Sequence, residues 1–539
     1  MGHVAQALVC AGLSTMQHWS RRQTLLAAGA ATLAASGLEA CASLPSAWRV
    51  APELDGLAPA APREFRAAWV ATVANIDWPS RKGLSSAEQQ AQIRAIVNRA
   101  AELGLNALIL QVRTSADAFY PSALEPWSEY LTGTQGQAPE PFYDPLALWI
   151  ELAHARGMEL HAWFNPFRAR QSAARSAPHA SHVSQTQPGW VKTYGDQLWM
   201  DPGEAAAAEH TLAVFKDVLQ RYDVDGIHID DYFYPYPVTE NAQSKTEIDF
   251  PDQSSWQRYL DGGGTLERAD WRRDNVNRLV ERIYAMIRST KPWVQFGISP
   301  FGLGRPDLRP AGIQGFSQYH KLYADIERWL QQGTLDYLVP QLYWRMDQAA
   351  QAFVPLLDYW NRQNTQGRNV YAGMFTSRIA APGADSASGW APVEISKQIA
   401  ATRERAPGSG HVHFSMLALM QNRQGLADTL RMQTYTQPAL VPASPWMGQA
   451  LAAVPVAQVR AAGENAVTLQ IAPTPTARRW ALWLRYGEKW QWMLCTQPIT
   501  TIAATSPDGL LNAVVVSALN RASQESPRLG LLPPSGGKG

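Results

Sequence analysis

The feature that most constrains the fold is a regular alternation of short apolar runs with helix-length stretches between residues 66 and 432. Eight runs have the length and β-branched or aromatic character of buried strands: 66–73, 106–113, 159–165, 226–232, 294–300, 337–343, 370–375 and 411–417. Stretches with helical periodicity follow them at 86–102, 144–156, 204–221, 270–290, 317–332, 348–363, 392–405 and 422–432. Eight strand–helix repeats predict an α/β fold, a (β/α)8 TIM-type barrel over 63–437. A doubly wound sheet is the alternative, and the count of eight together with polar strand ends favours the barrel.

Side chains alternate faces along a strand. In 108–113, Leu108, Leu110 and Val112 share one face, while Gln111 and Arg113 lie on the other. His161, Trp163 and Asn165 share a face, as do His228, Asp230 and Tyr232, and as do Gln341 and Tyr343; Ser299 and Ser415 behave likewise. The apolar faces are expected to meet the outer helices. The polar faces converge on one aromatic-lined pocket at the C-terminal mouth, walled by the loops 168–203 and 234–270, with Arg168 at the start of the first.

The segment 224–235, VDGIHIDDYFYP, places two adjacent carboxylates at the end of an apolar strand. A buried carboxylate is costly unless paired or used, and barrel enzymes carry their chemistry at this end of the strands. Asp230 points inward; Asp231 reaches the pocket only if the strand stops there. Neighbouring carboxylates push each other's pKa values apart, which suits one as an acid. Asp347, after strand six, is a second acid candidate. Gln111, Arg113, Asn165, Gln341 and Tyr343 suit recognition of hydroxyl and acetamido groups. Trp78, Trp163, Tyr234 and Trp344 are candidate stacking platforms. His161 and His228 lack a close metal-ligand spacing and read as hydrogen-bonding residues. No metal or cofactor is expected, since phosphate-loop, dinucleotide and Gly-x-Ser-x-Gly signatures are absent from the sequence.

The N-terminus reads as a processing signal over 1–41. Ser20-Arg21-Arg22-Gln23-Thr24-Leu25-Leu26 resembles a twin-arginine export motif, and Leu38-Glu39-Ala40-Cys41 resembles a lipobox. The expectation is export and lipid attachment at Cys41, with the outer membrane as destination because Ala42 follows the cysteine. A cleaved soluble signal is the alternative. Residues 42–62, rich in Pro and Ala, read as a tether. Of 3 cysteines only Cys495 lies beyond the signal, so no internal disulfide framework is expected. A net charge of +1 offers no basic field for nucleic acid. The 21 tryptophans suit a sugar-binding protein, since sugar faces stack on aromatic rings, although many of them must be core. From 438 to 532, short β-type runs separated by turns predict a small β-sandwich of fibronectin-III or immunoglobulin type, with 533–539 a tail.

The runs Arg66-Ala67-Ala68-Trp69-Val70-Ala71-Thr72-Val73, Asn75-Ile76-Asp77-Trp78-Pro79, His161-Ala162-Trp163-Phe164-Asn165-Pro166, the 225–235 segment, Phe296-Gly297-Ile298-Ser299-Pro300-Phe301-Gly302 and Leu335–Trp344 resemble the glycosyl-hydrolase-like 10 family of bacterial exported proteins. The resemblance spans roughly 63–435. It implies a TIM-type barrel and a glycoside hydrolase acting on peptidoglycan glycan strands, those stripped of stem peptides, at division sites. Asp230 and Asp231 are then the catalytic carboxylates. Asp77, Trp78, Gln111, Arg113, His161, Trp163, Asn165, Arg168, His228, Tyr232, Tyr234, Ser299, Gln341, Tyr343, Trp344 and Asp347 are the expected substrate contacts. Strand four also resembles, distantly, that of family-18 chitinases, with Tyr232 where those enzymes carry the acid Glu. A non-catalytic glycan-binding lipoprotein therefore stands as the alternative.

Overall fold

The computed structural model describes residues 48–534 apart from 242 and 386–388. The export signal, Cys41, the start of the expected tether and the end of the tail lie outside the described residues.

Eight parallel strands form the barrel: β1 (Phe65–Val70), β2 (Ala107–Arg113), β3 (Glu159–Phe164), β4 (Gly226–Ile229), β5 (Gln295–Ile298), β6 (Tyr337–Leu338), β7 in two pieces (Asn369–Val370 and Ala372–Met374) and β8 (Gly410–His413). β7 closes the barrel. Its first piece pairs with β6 and its second with β8, which pairs in turn with β1. The strands are shorter than the apolar runs that announced them. Beyond β4 and β5 the chain leaves the sheet at the mouth, and there Asp230, Asp231 and Ser299 sit, whereas Gln111 and Trp163 lie within paired β2 and β3.

A main helix follows each of the first seven strands: α1 (Ser86–Glu102), α2 (Pro145–Ala155), α3 (Ala205–Arg221), α4 (Arg268–Thr290), α5 (Ile326–Gln332), α6 (Phe353–Gln363) and α7 (Pro392–Arg405). α1 starts at a capping box in which Ser85 and Glu88 satisfy each other's backbone N–H groups. Its buried stripe, Ile93, Ile96, Val97 and Ala100, joins Leu108, Leu110 and Val112 from the outer face of β2 in one core. The expected last helix, 422–432, is broken into Leu426–Thr429 and a π turn, and a short helix, Met416–Met420, begins where the run 411–417 is expected to continue as strand.

Beyond the barrel lie β9 (Ala457–Ala461), β10 (Ala466–Ile471), β11 (Arg479–Tyr486), β12 (Lys489–Cys495), β13 (Ile499–Ala503), β14 (Gly509–Leu519) and β15 (Leu529–Leu532). They make two antiparallel sheets, β9-β10-β13 and β15-β14-β11-β12. Val459, Leu469, Ile471 and Ile502 of the first share a core with Leu482, Leu484, Val514 and Val516 of the second.

The expected tether differs from its reading from residue 49 onward. Arg49–Val50 adds an antiparallel strand to β15, and Ala51, Leu54, Ala58 and Ala61 cover Ala481, Trp483, Ala513 and Val515 on the outer face of the larger sheet. A Pro/Ala-rich composition reads as linker, but its small apolar side chains are also what a sheet with a bare apolar face needs.

Candidate active site

β4 ends at Ile229, so Asp230 and Asp231 both lie past the last pairing residue and both reach the cavity at the mouth. The cavity is lined by Trp69, Gln111, Trp163, Arg168, Tyr232, Tyr236, Ser299, Gln341, Tyr343 and Phe414 besides the two aspartates. Asp230 and Asp231 are the only carboxylates among its described lining residues.

A chain of amides orients Asp230. The backbone N–H groups of Thr72 and Val73 donate to Gln111 Oε1 at 3.0 and 2.9 Å. The Gln111 amide NH2 must therefore face away, and it donates to Asn165 Oδ1 at 2.6 Å. The NH2 of Asn165 is left to donate to both oxygens of Asp230, at 3.0 and 2.9 Å. Backbone donors at one end thus determine the direction of every amide in the chain. Asp231 accepts from the Tyr236 hydroxyl. Arg168 donates through Nε to Thr114 O at 3.0 Å, and its guanidinium lies over the Tyr232 ring.

Burial pushes both carboxyls up. Asp230 rises to about 7, with the charge of Asp231 as second cause, and Asp231 to about 6 against the opposing hydrogen bond from Tyr236. A pair of this kind titrates as a unit and holds one proton near neutrality.

Several expected contacts lie elsewhere. Asp77 is buried and staples the end of β1 to the chain after β8, accepting from Ala71 N, Ser415 Oγ and Leu417 N. Trp78 is fully buried, donates to Gln89 O and packs edge-on to Trp149, so it is core. Arg113 is fully buried in a two-pronged ion pair with Glu125 and donates to the Asn165 carbonyl. It shapes the loop after β3 instead of meeting solvent. Tyr234 is buried against Phe250 and Tyr323, in the irregular chain beyond β4, away from the mouth. Trp344 packs on Phe301. Asp347 is exposed and ion-paired with Arg345, outside the cavity. His161 and His228 are fully buried below the cavity floor and share the Tyr337 hydroxyl. No group of three or more His, Cys, Asp or Glu among the described residues is arranged to hold a metal ion.

Strand alternation alone missed Trp69, Tyr236 and Phe414. Trp69 sits on β1, an apolar strand with no polar residue to mark its inward face. Tyr236 comes from an irregular loop, where no periodicity points to a face.

A parallel eight-stranded barrel with a buried carboxylate pair at its C-terminal mouth is a build used by barrel glycoside hydrolases. Residues 64–391 match Glycosyl hydrolase-like 10, and the chain belongs to that family. Glycosyl hydrolase YngK of Bacillus subtilis (strain 168) is 38% identical over 452 residues, covering 81% of this chain and 85% of its own length. Glycosyl hydrolase DigH of Escherichia coli (strain K12) is 34% identical over 343 residues, 59% of this chain and 75% of its own. Among solved structures, the PgaB (BpsB) glycoside hydrolase domain of Bordetella bronchiseptica aligns with 69% of this chain and 99% of its own, at 13% identity and a TM-score of 0.42.

Proposed function

We propose that the protein is a glycoside hydrolase that cleaves peptidoglycan glycan strands, those freed of stem peptides, at the Asp230–Asp231 pair. The observation that carries the reading is this pair, buried and walled by Trp69, Trp163, Tyr232, Tyr236 and Tyr343, rings on which sugar faces stack.

The arrangement favours one mechanism. Direct displacement with retention or inversion needs carboxyls flanking the scissile bond. Asp230 and Asp231 are consecutive residues at one strand end, and no other described lining residue is a carboxylate. An N-acetyl sugar supplies the missing nucleophile itself. The protonated member of the pair gives its proton to the glycosidic oxygen as the C1–O bond breaks. The acetamido carbonyl oxygen attacks C1, and the ionised member holds the acetamido N–H as positive charge spreads into the resulting ring. Water then attacks C1 as the bond from C1 to the acetamido oxygen breaks, giving its proton back to the pair and restoring the acetamide, and the anomeric configuration is retained. The same reading includes export and lipid anchoring through Cys41, facing the periplasm from the outer membrane; loss of palmitate labelling in Cys41→Ala tests that part.

The test of the activity is incubation of the protein with purified peptidoglycan, with and without stem peptides, and mass spectrometry of the products. Release of muro-oligosaccharides from peptide-free strands, absent in Asp230→Asn, supports the hydrolase. Binding without release by the wild type overturns it in favour of a glycan-binding protein.

A further inference from the structure

Beneath the cavity a hydrogen-bonded column runs down the barrel axis to the C-terminal sheets. From the base upward, Arg479 of β11 meets Glu159 Oε1 at 3.1 Å. Glu159 Oε2 lies 3.2 Å from His161 Nε2, and His161 Nδ1 lies 2.7 Å from the Tyr337 hydroxyl. The same hydroxyl is 3.1 Å from His228 Nδ1. His228 Nε2 meets Ser299 Oγ at 2.9 Å and Trp69 Nε1 at 3.3 Å. His161, His228 and Tyr337 are fully buried, and Ser299 and Trp69 line the cavity. Two glycines keep the axis clear: a Cβ on Gly226 would collide with the His161 ring, and one on Gly297 with the Tyr337 ring.

Both ends dictate the same direction for every proton. The Glu159 carboxylate only accepts, so His161 carries its proton on Nε2 and accepts at Nδ1. The Tyr337 hydroxyl must then donate to His161, and its oxygen accepts from His228 Nδ1–H. That leaves His228 Nε2 bare. Independently, the Trp69 indole only donates, which again requires a bare His228 Nε2. The reverse polarity would set two acceptors face to face at Glu159 and two donors at Trp69. With Nε2 bare, its one lone pair is shared between the Trp69 N–H at 3.3 Å and the closer Ser299 hydroxyl, which donates downward at 2.9 Å.

We propose that this column is a polarised relay by which Arg479 and Glu159, at the base of the barrel, hold Ser299 as a hydrogen-bond acceptor on the cavity floor. Ser299 then selects a substrate group that donates, a sugar hydroxyl or an acetamido N–H; that identity rests on the glycosidase reading, whereas the relay does not. Glu159, His161, Tyr337 and His228 are positioning residues, and the C-terminal sheets gain a part in the site through Arg479.

The first arm of the test is NMR of the full chain labelled with 15N-histidine. His161 is expected as the neutral Nε2–H tautomer and His228 as the neutral Nδ1–H tautomer. A proton on His228 Nε2 overturns the relay whatever the protein hydrolyses. The second arm measures the Kd of a peptide-free glycan oligosaccharide for Asp230→Asn and, in that background, for Ser299→Ala, Tyr337→Phe and both together. Each substitution is expected to weaken binding about fivefold, the worth of one hydrogen bond. The pair together is expected to weaken it no further, because both break one line. Additive losses overturn the proposal. If the oligosaccharide does not bind at all, the sugar reading falls and the tautomers still decide the relay.

Discussion

At the scale of single residues, the carboxylate pair sets activity against stability. Asp230 and Asp231 hold protons in the folded chain that they lose in the unfolded chain between about pH 4 and pH 7. Stability from this source is complete below the ordinary carboxylate range and declines as pH rises through the folded values. Asp230→Asn is therefore expected to abolish turnover and raise Tm at pH 8, with the gain vanishing near pH 4; calorimetry at the two pH values checks it. Tyr236 acts on the same pair with the opposite sign, since its hydroxyl lowers the Asp231 pKa. Tyr236→Phe is expected to move the pH–rate profile upward by about one unit, the equivalent of one hydrogen bond to a charge. An unmoved profile would show that Asp231 takes no part in the titration that limits the rate. Arg113 marks the boundary of what residue type can reveal. Its inward alternation is correct, but a fully buried guanidinium on Glu125 serves the loop carrying Asn165. Arg113→Met leaves Glu125 buried beside only His210 and is expected to cost about 3–5 kcal/mol in denaturant unfolding.

At the scale of elements, the barrel was legible because its strands are buried on both faces and its helices are amphipathic, so apolar runs and helical periodicity alternate without ambiguity. Inward alternation also brings Gln111, Trp163, Asp230, Ser299, Gln341 and Tyr343 to one cavity. Alternation gives a direction but no depth, and depth separates His161 and His228, which lie in the column, from Ser299, which lines the cavity. Beyond the strand ends it gives no direction either, which is why Tyr234 turned away while Tyr236 turned in. The glycines carry information that hydrophobicity scales discard. Gly297 on β5 pairs with Tyr337 on the neighbouring β6 and abuts its ring, with no room for a methyl group on backbone that alanine would otherwise accept. Gly297→Ala is expected to displace Tyr337, lower Tm by several degrees and weaken glycan binding about as much as Tyr337→Phe does. Restoring room with the double variant Gly297→Ala, Tyr337→Phe is expected to recover part of the Tm.

At the scale of the whole molecule, the C-terminal sheets are fastened to the base of the barrel. Asp223, just before β4, takes both Arg478 and Arg521, at 2.6 and 2.7 Å. Arg479 donates to Gly157 O at 2.8 Å beside its pairing with Glu159, and His154 bridges Arg478 and Asp225. From the other side, residues 51–61 lie over the larger sheet before the chain enters β1. The barrel is thus gripped by chain at both ends, and removing the sheets would strip Glu159, 2% exposed in the intact chain, of its arginine and leave Leu54 and Ala58 without a partner surface. An uncompensated buried charge costs several kcal/mol, a large fraction of the stability of a typical domain. Truncation after residue 437 is therefore expected to yield an insoluble or loosely packed barrel, and the intact chain to unfold in one calorimetric transition. Two separated transitions, or a soluble truncated barrel with unchanged His161 and His228 tautomers, would show that the sheets are a passenger and that the base of the column stands without Arg479.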